Sequence, residues 1–178
     1  MEYIKKMKGT TKSPPAVGLL EIILSWIGAF LGIASVALLN YYIFEGTDFV
    51  MIIGSFGASA VLIYGAIRSP LAQPRNLIGG HVLSAIIGVT IYNVLNNHMW
   101  LAASVSVATA IAAMHATKTL HPPGGATALI AIIGSEKIHN LGYLYAIIPA
   151  GLGAAIMLLV ALLINNIPKN RRYPEFWV

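Results

Sequence analysis

Between Glu21 and Glu45 the chain carries no charged side chain. A helix of that length, built from Leu, Ile, Val, Ala, Trp26 and Phe30, reaches across the roughly 30 Å hydrocarbon core of a bilayer. A helix apolar on every side has no face to offer water. Composition extends the point to the whole chain. Only 10% of the residues are charged, against about 25% in a soluble domain. Mean hydropathy is +0.77. Lipid is therefore the solvent over most of the length, and 178 residues make one domain. With no cysteine, disulfides, thiolate metal sites and cysteine nucleophiles are excluded. The net charge of +5 reads as cytoplasmic loops, because no motif for binding RNA or DNA accompanies it. The basic N-terminus precedes an apolar run too long for a signal peptide, so that run is expected to be a span.

Residues 19–44, 77–95, 99–116 and 142–167 are long enough to span; 49–67 is barely so, and 124–134 is too short. Two topologies follow: six crossings with two irregular ones, or four crossings with two re-entrant segments. With six crossings and the N-terminus inside, Lys5, Lys6, Lys8, Lys12, Arg68, Arg75, Lys118, Lys169, Arg171 and Arg172 share one face, and only Lys137 lies on the other. Re-entrant segments would move Arg68, Arg75 and Lys118 across. The positive-inside rule favours six crossings. Residues 1–18 and 168–178 are then basic cytoplasmic tails of one transmembrane domain, in a prokaryotic cell membrane.

Small residues recur four apart: Gly28 and Gly32; Gly80, Ser84 and Gly88; Ala108, Ala112 and Ala116; Ala150 and Ala154. Such ladders let helix backbones approach closely in lipid. A homo-oligomer is expected, since so short a bundle is slender and these faces can serve the contact. Gly57-Ala58-Ser59-Ala60-Val61-Leu62-Ile63 is similar to Gly125-Ala126-Thr127-Ala128-Leu129-Ile130-Ala131. Three crossings apart, the copies would run in opposite directions. The expected fold is all-α: a six-segment helix bundle built as a 3+3 inverted repeat, with segments two and five short and broken by Pro and Gly. Segments of that kind point to a transporter's binding site.

The breaks have a definite physical cause. His121-Pro122-Pro123-Gly124-Gly125 cannot continue a helix, since neither proline has an N–H and each forces the residue before it toward extended backbone. A new helix can begin there. Its free N–H groups, from about Gly124 to Thr127, would face the membrane interior. Gly54-Ser55-Phe56-Gly57 opens a matching half-helix from the other side. Two helix N-termini meeting inside the membrane favour a small anion. The competing reading is a kink satisfied by neighbouring backbone.

Arg68-Ser69-Pro70-Leu71-Ala72-Gln73-Pro74-Arg75-Asn76 links segments two and three. Arg75 at a helix start opposes the dipole. It draws an anion to the inner mouth, pairs with Glu21, or simply fixes topology. His81 lies one turn into a helix, where a histidine faces the protein interior to bond across helices or to titrate. His121 has the same two readings. His98 and His139 are expected in solvated outer loops. No acidic cluster joins a histidine, so no metal site, cofactor or enzyme chemistry is expected. Ser59 and Thr127 occupy equivalent places in the two copies and can donate to a ligand or back to their own helix.

His121-Pro122-Pro123-Gly124-Gly125-Ala126-Thr127-Ala128-Leu129 resembles the signature of the HPP family of integral membrane proteins. Ser69-Pro70-Leu71-Ala72-Gln73-Pro74-Arg75-Asn76 with Gly79-Gly80-His81, and Gly54-Ser55-Phe56-Gly57-Ala58-Ser59-Ala60, resemble its other motifs. The resemblance extends more loosely from about Pro14 to Ile167. The family is commonly described with four spans; the charge count favours six. Plastid and cyanobacterial members are associated with nitrite transport, so the resemblance implies that this chain moves nitrite or a related anion. The soluble regulatory domains fused to some members are not seen, so function is expected in the membrane part. The expected substrate-binding residues are Ser55, Gly57, Ser59, Gln73, Arg75, Asn76, His81, His121, Pro122, Pro123, Gly124, Gly125 and Thr127. The alternatives are an anion channel and a scaffold subunit.

Overall fold

The computed structural model describes residues 2–178, and every regular element among them is helical. In chain order the helices are α1 (Glu2–Lys5), α2 (Leu19–Leu39), α3 (Ser55–Ala60), α4 (Pro74–Leu95), α5 (Met99–Ala116), α6 (Pro122–Ile133), α7 (Glu136–Leu141) and α8 (Leu152–Asn165). A widened turn prolongs α2 to Phe44, and another prolongs α3 to Gly65. Four stretches are long and apolar enough to cross a membrane: Leu19–Phe44, Pro74–Leu95, Met99–Ala116 and Glu136–Asn165. Two are shorter, Ser55–Gly65 and Pro122–Ile133. At about 1.5 Å per residue these reach only some 16–18 Å, roughly half the hydrocarbon core.

Two sequence expectations need correction here. Residues 49–67 are not one helix: residues 49–53 lie outside any helix, and helix begins only at Ser55. Asn40 Oδ1 accepts from the Met51 N–H at 2.8 Å, giving that non-helical backbone a partner. Residues 142–167 are not continuous either. Pro149 forces Ile148 out of helical geometry, to φ −128° and ψ 119°, before α8 begins.

The contacts sort the chain ends into two groups. The start of α2, the loop after α3 and the segment after α8 meet around a cavity of about 490 Å³ lined by Glu21, Ile67, Arg68, Ser69, Asn170 and Arg171, among others. The start of α4 is tied to the end of α5: Arg75 Nη2 donates to the Thr117 carbonyl and Asn76 Nδ2 to that of Leu120, each at 2.8 Å. Elsewhere, Lys137 on α7 donates to the Thr47 carbonyl beyond α2 at 2.8 Å. Tyr92 at the end of α4 lies 3.1 Å from His139 Nδ1, with the two rings stacked at 4.0 Å. His139 is thus bound into the protein rather than solvated.

Helix approach is set by glycine. On α4, a Cβ at Gly88 would stand 2.6 Å from Ala131 Cβ of α6, and one at Gly80 would stand 2.5 Å from His121 Cβ. On α2, a Cβ at Gly28 would lie 2.7 Å from Tyr64 Cδ1, and one at Gly32 would collide with the Tyr64 hydroxyl. That hydroxyl donates to the Met157 carbonyl of α8 at 3.0 Å, so the ring is pinned between two helices. Gly32→Ala is therefore expected to cost about 1–3 kcal/mol by overpacking. Heat-unfolding of the detergent-solubilised variant tests this, and an unchanged midpoint would contradict the contact. The alanine ladder on α5 does not pack within the chain. Ala108, Ala112 and Ala116 are exposed, and the buried stripe is Ala102, Ser106, Ala110 and Met114.

The C-terminal segment is not a free tail. Arg171 is buried and bonds Glu21 Oε1 at 3.0 Å and the Tyr64 carbonyl at 2.7 Å. Glu21 thus pairs with Arg171 and not with Arg75. Tyr173 is buried and donates to the Ala72 carbonyl at 2.7 Å, while the Glu175 N–H donates to Gln73 Oε1 at 2.8 Å. Burial holds the Tyr173 phenol well above its ordinary range, so it remains a donor at any physiological pH.

Candidate functional site

The two short helices bring the polar residues together. Ser55 on α3 lies beside Thr127 on α6, at 2.9 Å between hydroxyl oxygens. One turn further along α3, Ser59 lies 2.9 Å from Nε2 of His121, the residue just before α6. The order of these pairs makes the two helices antiparallel, with their first turns overlapping side by side. His81 on α4 completes the cluster: its Nε2 is 2.7 Å from Ser59 Oγ, and its Nδ1 is 2.7 Å from Thr127 Oγ1. The two hydroxyls that correspond between the similar heptapeptides therefore clasp opposite nitrogens of one imidazole. His121 Nδ1 donates to the Leu71 carbonyl at 2.8 Å. The imidazoles of His81 and His121 stand 5.1 Å apart, and Phe56 meets His81 edge-on at 5.3 Å.

Local sequence explains this assembly. Gly80 and Gly124 have no side chain, so α4 and α6 approach until a Cβ on Gly124 would lie 2.8 Å from both the Gly80 carbonyl and Ser84 Oγ. Only then does His81, next to Gly80, reach Thr127. Pro122 and Pro123 start α6 where they do because their missing N–H groups are unneeded in a first turn. The extended backbone they impose at His121 (φ −140°, ψ 103°) turns its ring toward α3.

Ser55, Ser59, His81, His121 and Thr127 are each at most 1% exposed, so the cluster is shut off from both faces. None of its recorded hydrogen-bond partners is a carboxylate, lysine or arginine. Among the described residues no group of three or more His, Asp or Glu is placed to hold a metal ion. The arrangement offers hydroxyls and imidazoles at a buried point, with no resident negative charge.

The other sequence candidates lie around this centre or apart from it. Gln73 is buried and holds its own loop, donating to the Ile67 and Ser69 carbonyls at 3.0 and 2.8 Å. Asn76 and Arg75 tie α4 to the end of α5, as above. Pro123 and Gly124 are buried in packing, whereas Pro122 is exposed. Gly57 is exposed and a Cβ there meets nothing within 4 Å. Gly125 borders an outward, mostly apolar groove with Val107, Ile111 and Leu129. The first-turn N–H groups are also less free than the proline break implies. Phe56, Gly57 and Gly124 donate to the carbonyls of Ile53, Gly54 and His121. Side chains, not bare backbone, carry the polar centre.

Sequence reasoning missed Leu71 and Tyr145. The Leu71 carbonyl fixes the His121 tautomer, and the buried Tyr145 donates to the Thr127 carbonyl at 3.1 Å. Leu71 acts through its backbone, which side-chain identity does not announce. The loop holding it has the cavity beside Glu21 and Arg171 on one side, at Ile67–Ser69, and His121 on the other.

A transmembrane protein of Dictyostelium discoideum is 46% identical over 180 residues, covering 99% of this chain and 58% of its own length. A second from the same organism is 44% identical over 182 residues, covering 99% and 64%. Both are described only as transmembrane proteins, and the chain spans about six-tenths of their length. Their source does not assign the chain to a prokaryotic membrane. No solved structure matches. Residues 14–174 match the transmembrane region of HPP, a stretch that contains all three motifs and every residue of the buried cluster. The chain belongs to the HPP family and is an integral membrane protein.

Proposed function

We propose that this chain transports a small monovalent anion, nitrite being the favoured substrate, through the buried centre formed by Ser59, Thr127, His81 and His121. The observation that carries the reading is the clasp itself: two hydroxyls from antiparallel half-helices on one buried imidazole, with no carboxylate among their partners. Hydroxyl and ring N–H donors can replace the water around a nitrite or formate ion, and the absence of resident negative charge disfavours a cation. Closure of the centre from both faces favours a carrier over an open channel. The Ile67–Gln73 loop, between the inner cavity and His121, is the inner gate in this reading.

The same proposal takes six segments as a 3+3 inverted repeat. Thr47 is tied to Lys137, and Arg68 shares a cavity with Glu21 and Arg171, so the chain between Thr47 and Arg68 passes between the two groups of chain ends. It does so by joining a non-helical stretch to a half-helix. Both termini then lie on the cytoplasmic side of a cell membrane, with copies associating through outward small-residue faces such as Ala108, Ala112 and Ala116.

A ligand that binds the folded protein stabilises it by mass action, by about 2.7 kcal/mol at a hundred times Kd, and so raises its unfolding midpoint. Nitrite, formate and nitrate are expected to raise the midpoint of the purified protein saturably, while sodium or potassium at matched ionic strength does not. Thr127→Val, which keeps shape and removes the hydroxyl, is expected to weaken that shift about tenfold in concentration, the loss of one hydrogen bond to a charged group. Equal shifts from all salts would remove the site.

A further inference from the structure

The hydrogen atoms in the cluster can be counted. The Leu71 carbonyl only accepts, so His121 Nδ1 carries hydrogen, and a neutral His121 offers a lone pair at Nε2. Ser59 gives its one hydroxyl hydrogen there, and can then only accept from His81 Nε2. That fixes hydrogen on His81 Nε2. At the other side of the ring, Thr127 has one hydroxyl hydrogen and three neighbours: His81 Nδ1 at 2.7 Å, Ser55 Oγ at 2.9 Å and the Pro123 carbonyl at 3.2 Å. In one state that hydrogen goes to Ser55 or to the Pro123 carbonyl. Nδ1 must then donate to Thr127 as well, and a ring that donates at both nitrogens is an imidazolium. If the Thr127 hydroxyl instead turns to Nδ1, the ring is neutral. The two states differ by one proton on Nδ1 and by hydroxyl rotation, with every heavy atom in place.

We infer that His81 binds the coupling proton, one for each anion carried, so that anion and proton cross together without net charge. The inference rests on the anion-carrier reading above and supplies its coupling ion. The step balances simply: a proton from water bonds to the Nδ1 lone pair, Thr127 ceases to donate there, and the anion is unchanged; release reverses each change. One proton is the limit, because His121 stands 5.1 Å away and two adjacent buried imidazoles do not both hold charge. The counter-charge has one available source. Of the titratable groups on the elements packed around His81, Arg75 is bound to the Thr117 carbonyl, Tyr92 to His139 and Tyr143 to Thr90. Tyr145 donates to the Thr127 carbonyl, Tyr64 to the Met157 carbonyl, and His115 is exposed. None is a carboxylate, and Glu21 is engaged by Arg171. A buried imidazolium without a partner is costly, and an anion beside it removes that cost. Proton and anion therefore strengthen each other's binding reciprocally.

The test uses the whole protein in sealed proteoliposomes, with protein-free vesicles subtracted to remove nitrous acid diffusion. Two readouts are taken, nitrite uptake and the pH of a trapped dye. An inward proton gradient of one unit is expected to speed protein-dependent uptake and to support about tenfold accumulation, with one proton entering per nitrite. A potassium diffusion potential of either sign should leave the rate unchanged. In His81→Gln the uptake that remains should no longer respond to the pH gradient. Should that variant not fold, the wild-type protein in weakly buffered detergent gives an independent answer: one proton is absorbed from solution per nitrite bound. Saturable uptake driven by the potential and indifferent to pH would overturn the proton inference and leave anion transport standing. No saturable uptake of nitrite, formate or nitrate would overturn both.

Discussion

Gly124→Ala is expected to reduce saturable nitrite uptake by at least about tenfold and to destabilise the protein by about 1–3 kcal/mol. The added methyl would lie 2.8 Å from the Gly80 carbonyl and from Ser84 Oγ, and 2.9 Å from the Met114 sulfur. A carbonyl within a helix cannot move aside without moving its turn, so α6 must shift away from α4. That shift stretches the 2.7 Å contact between His81 Nδ1 and Thr127 Oγ1, which spans the same interface. The adjacent position is the control. A Cβ on Gly125 meets only Val107 Cγ1, at an ordinary 3.8 Å. Gly125→Ala should change stability by no more than about 0.5 kcal/mol. Uptake and unfolding midpoints of the two variants decide the matter, and equal effects at both positions would contradict the packing described.

Arg171→Met should release the C-terminal segment and cost an amount near the low end of the roughly 3–5 kcal/mol seen when one partner of a buried pair is removed. The low end applies for two reasons. Glu21 has 30% of its side chain exposed and regains water when left alone. Arg171 Nε and Nη1 also find no partner, so the wild-type pairing is itself incompletely compensated. Loss of the Tyr64 carbonyl's partner adds to the cost. Tyr173 and Glu175 bind Ala72 and Gln73, on the loop whose Leu71 orients His121, so freeing the segment also loosens the proposed inner gate. Limited proteolysis after Pro168 together with the unfolding midpoint tests this. A variant as resistant and as stable as the parent would show that the ion pair holds nothing in place.

Much of this fold was legible because lipid imposes simple rules. Runs such as 19–44 and 99–116 declared helices by length and lack of charge, and the prolines at 122 and 123 declared the break before α6. Gly80, Ser84 and Gly88 were legible as a close-packing face, and α6 is what packs there. The equally regular ladder Ala108, Ala112 and Ala116 faces outward, since spacing fixes a common face but not its direction, and lipid tolerates alanine as well as a neighbouring helix does. The non-helical start of the second segment was hidden because its residues are as apolar as those of a helix. The buried C-terminal segment was misread through its charge: Arg171 looked like a topological marker, and nothing local betrays a partner 150 positions away.

At the centre, Ser59, Thr127, His81 and His121 stood out singly, as polar groups at membrane depth. Their convergence did not follow from spacing, because it depends on how closely α4 approaches α6 and on which way two short helices run. Arg75 and Gln73 also stood out, and the structure gives both of them carbonyl partners near the chain surface or within their own loop. A polar residue in an apolar chain marks a need for a partner, and a backbone carbonyl meets that need as well as a ligand does.

The most direct measurement is protein-dependent nitrite uptake into proteoliposomes by the wild type beside Ser59→Ala, whose hydroxyl joins the two imidazoles at 2.7 and 2.9 Å. The prediction is saturable wild-type uptake, competed by formate, and a Ser59→Ala protein that folds but takes up nitrite at least about tenfold more slowly at subsaturating concentration. Equal uptake by the two folded proteins, or none by either, would contradict an anion path through this centre.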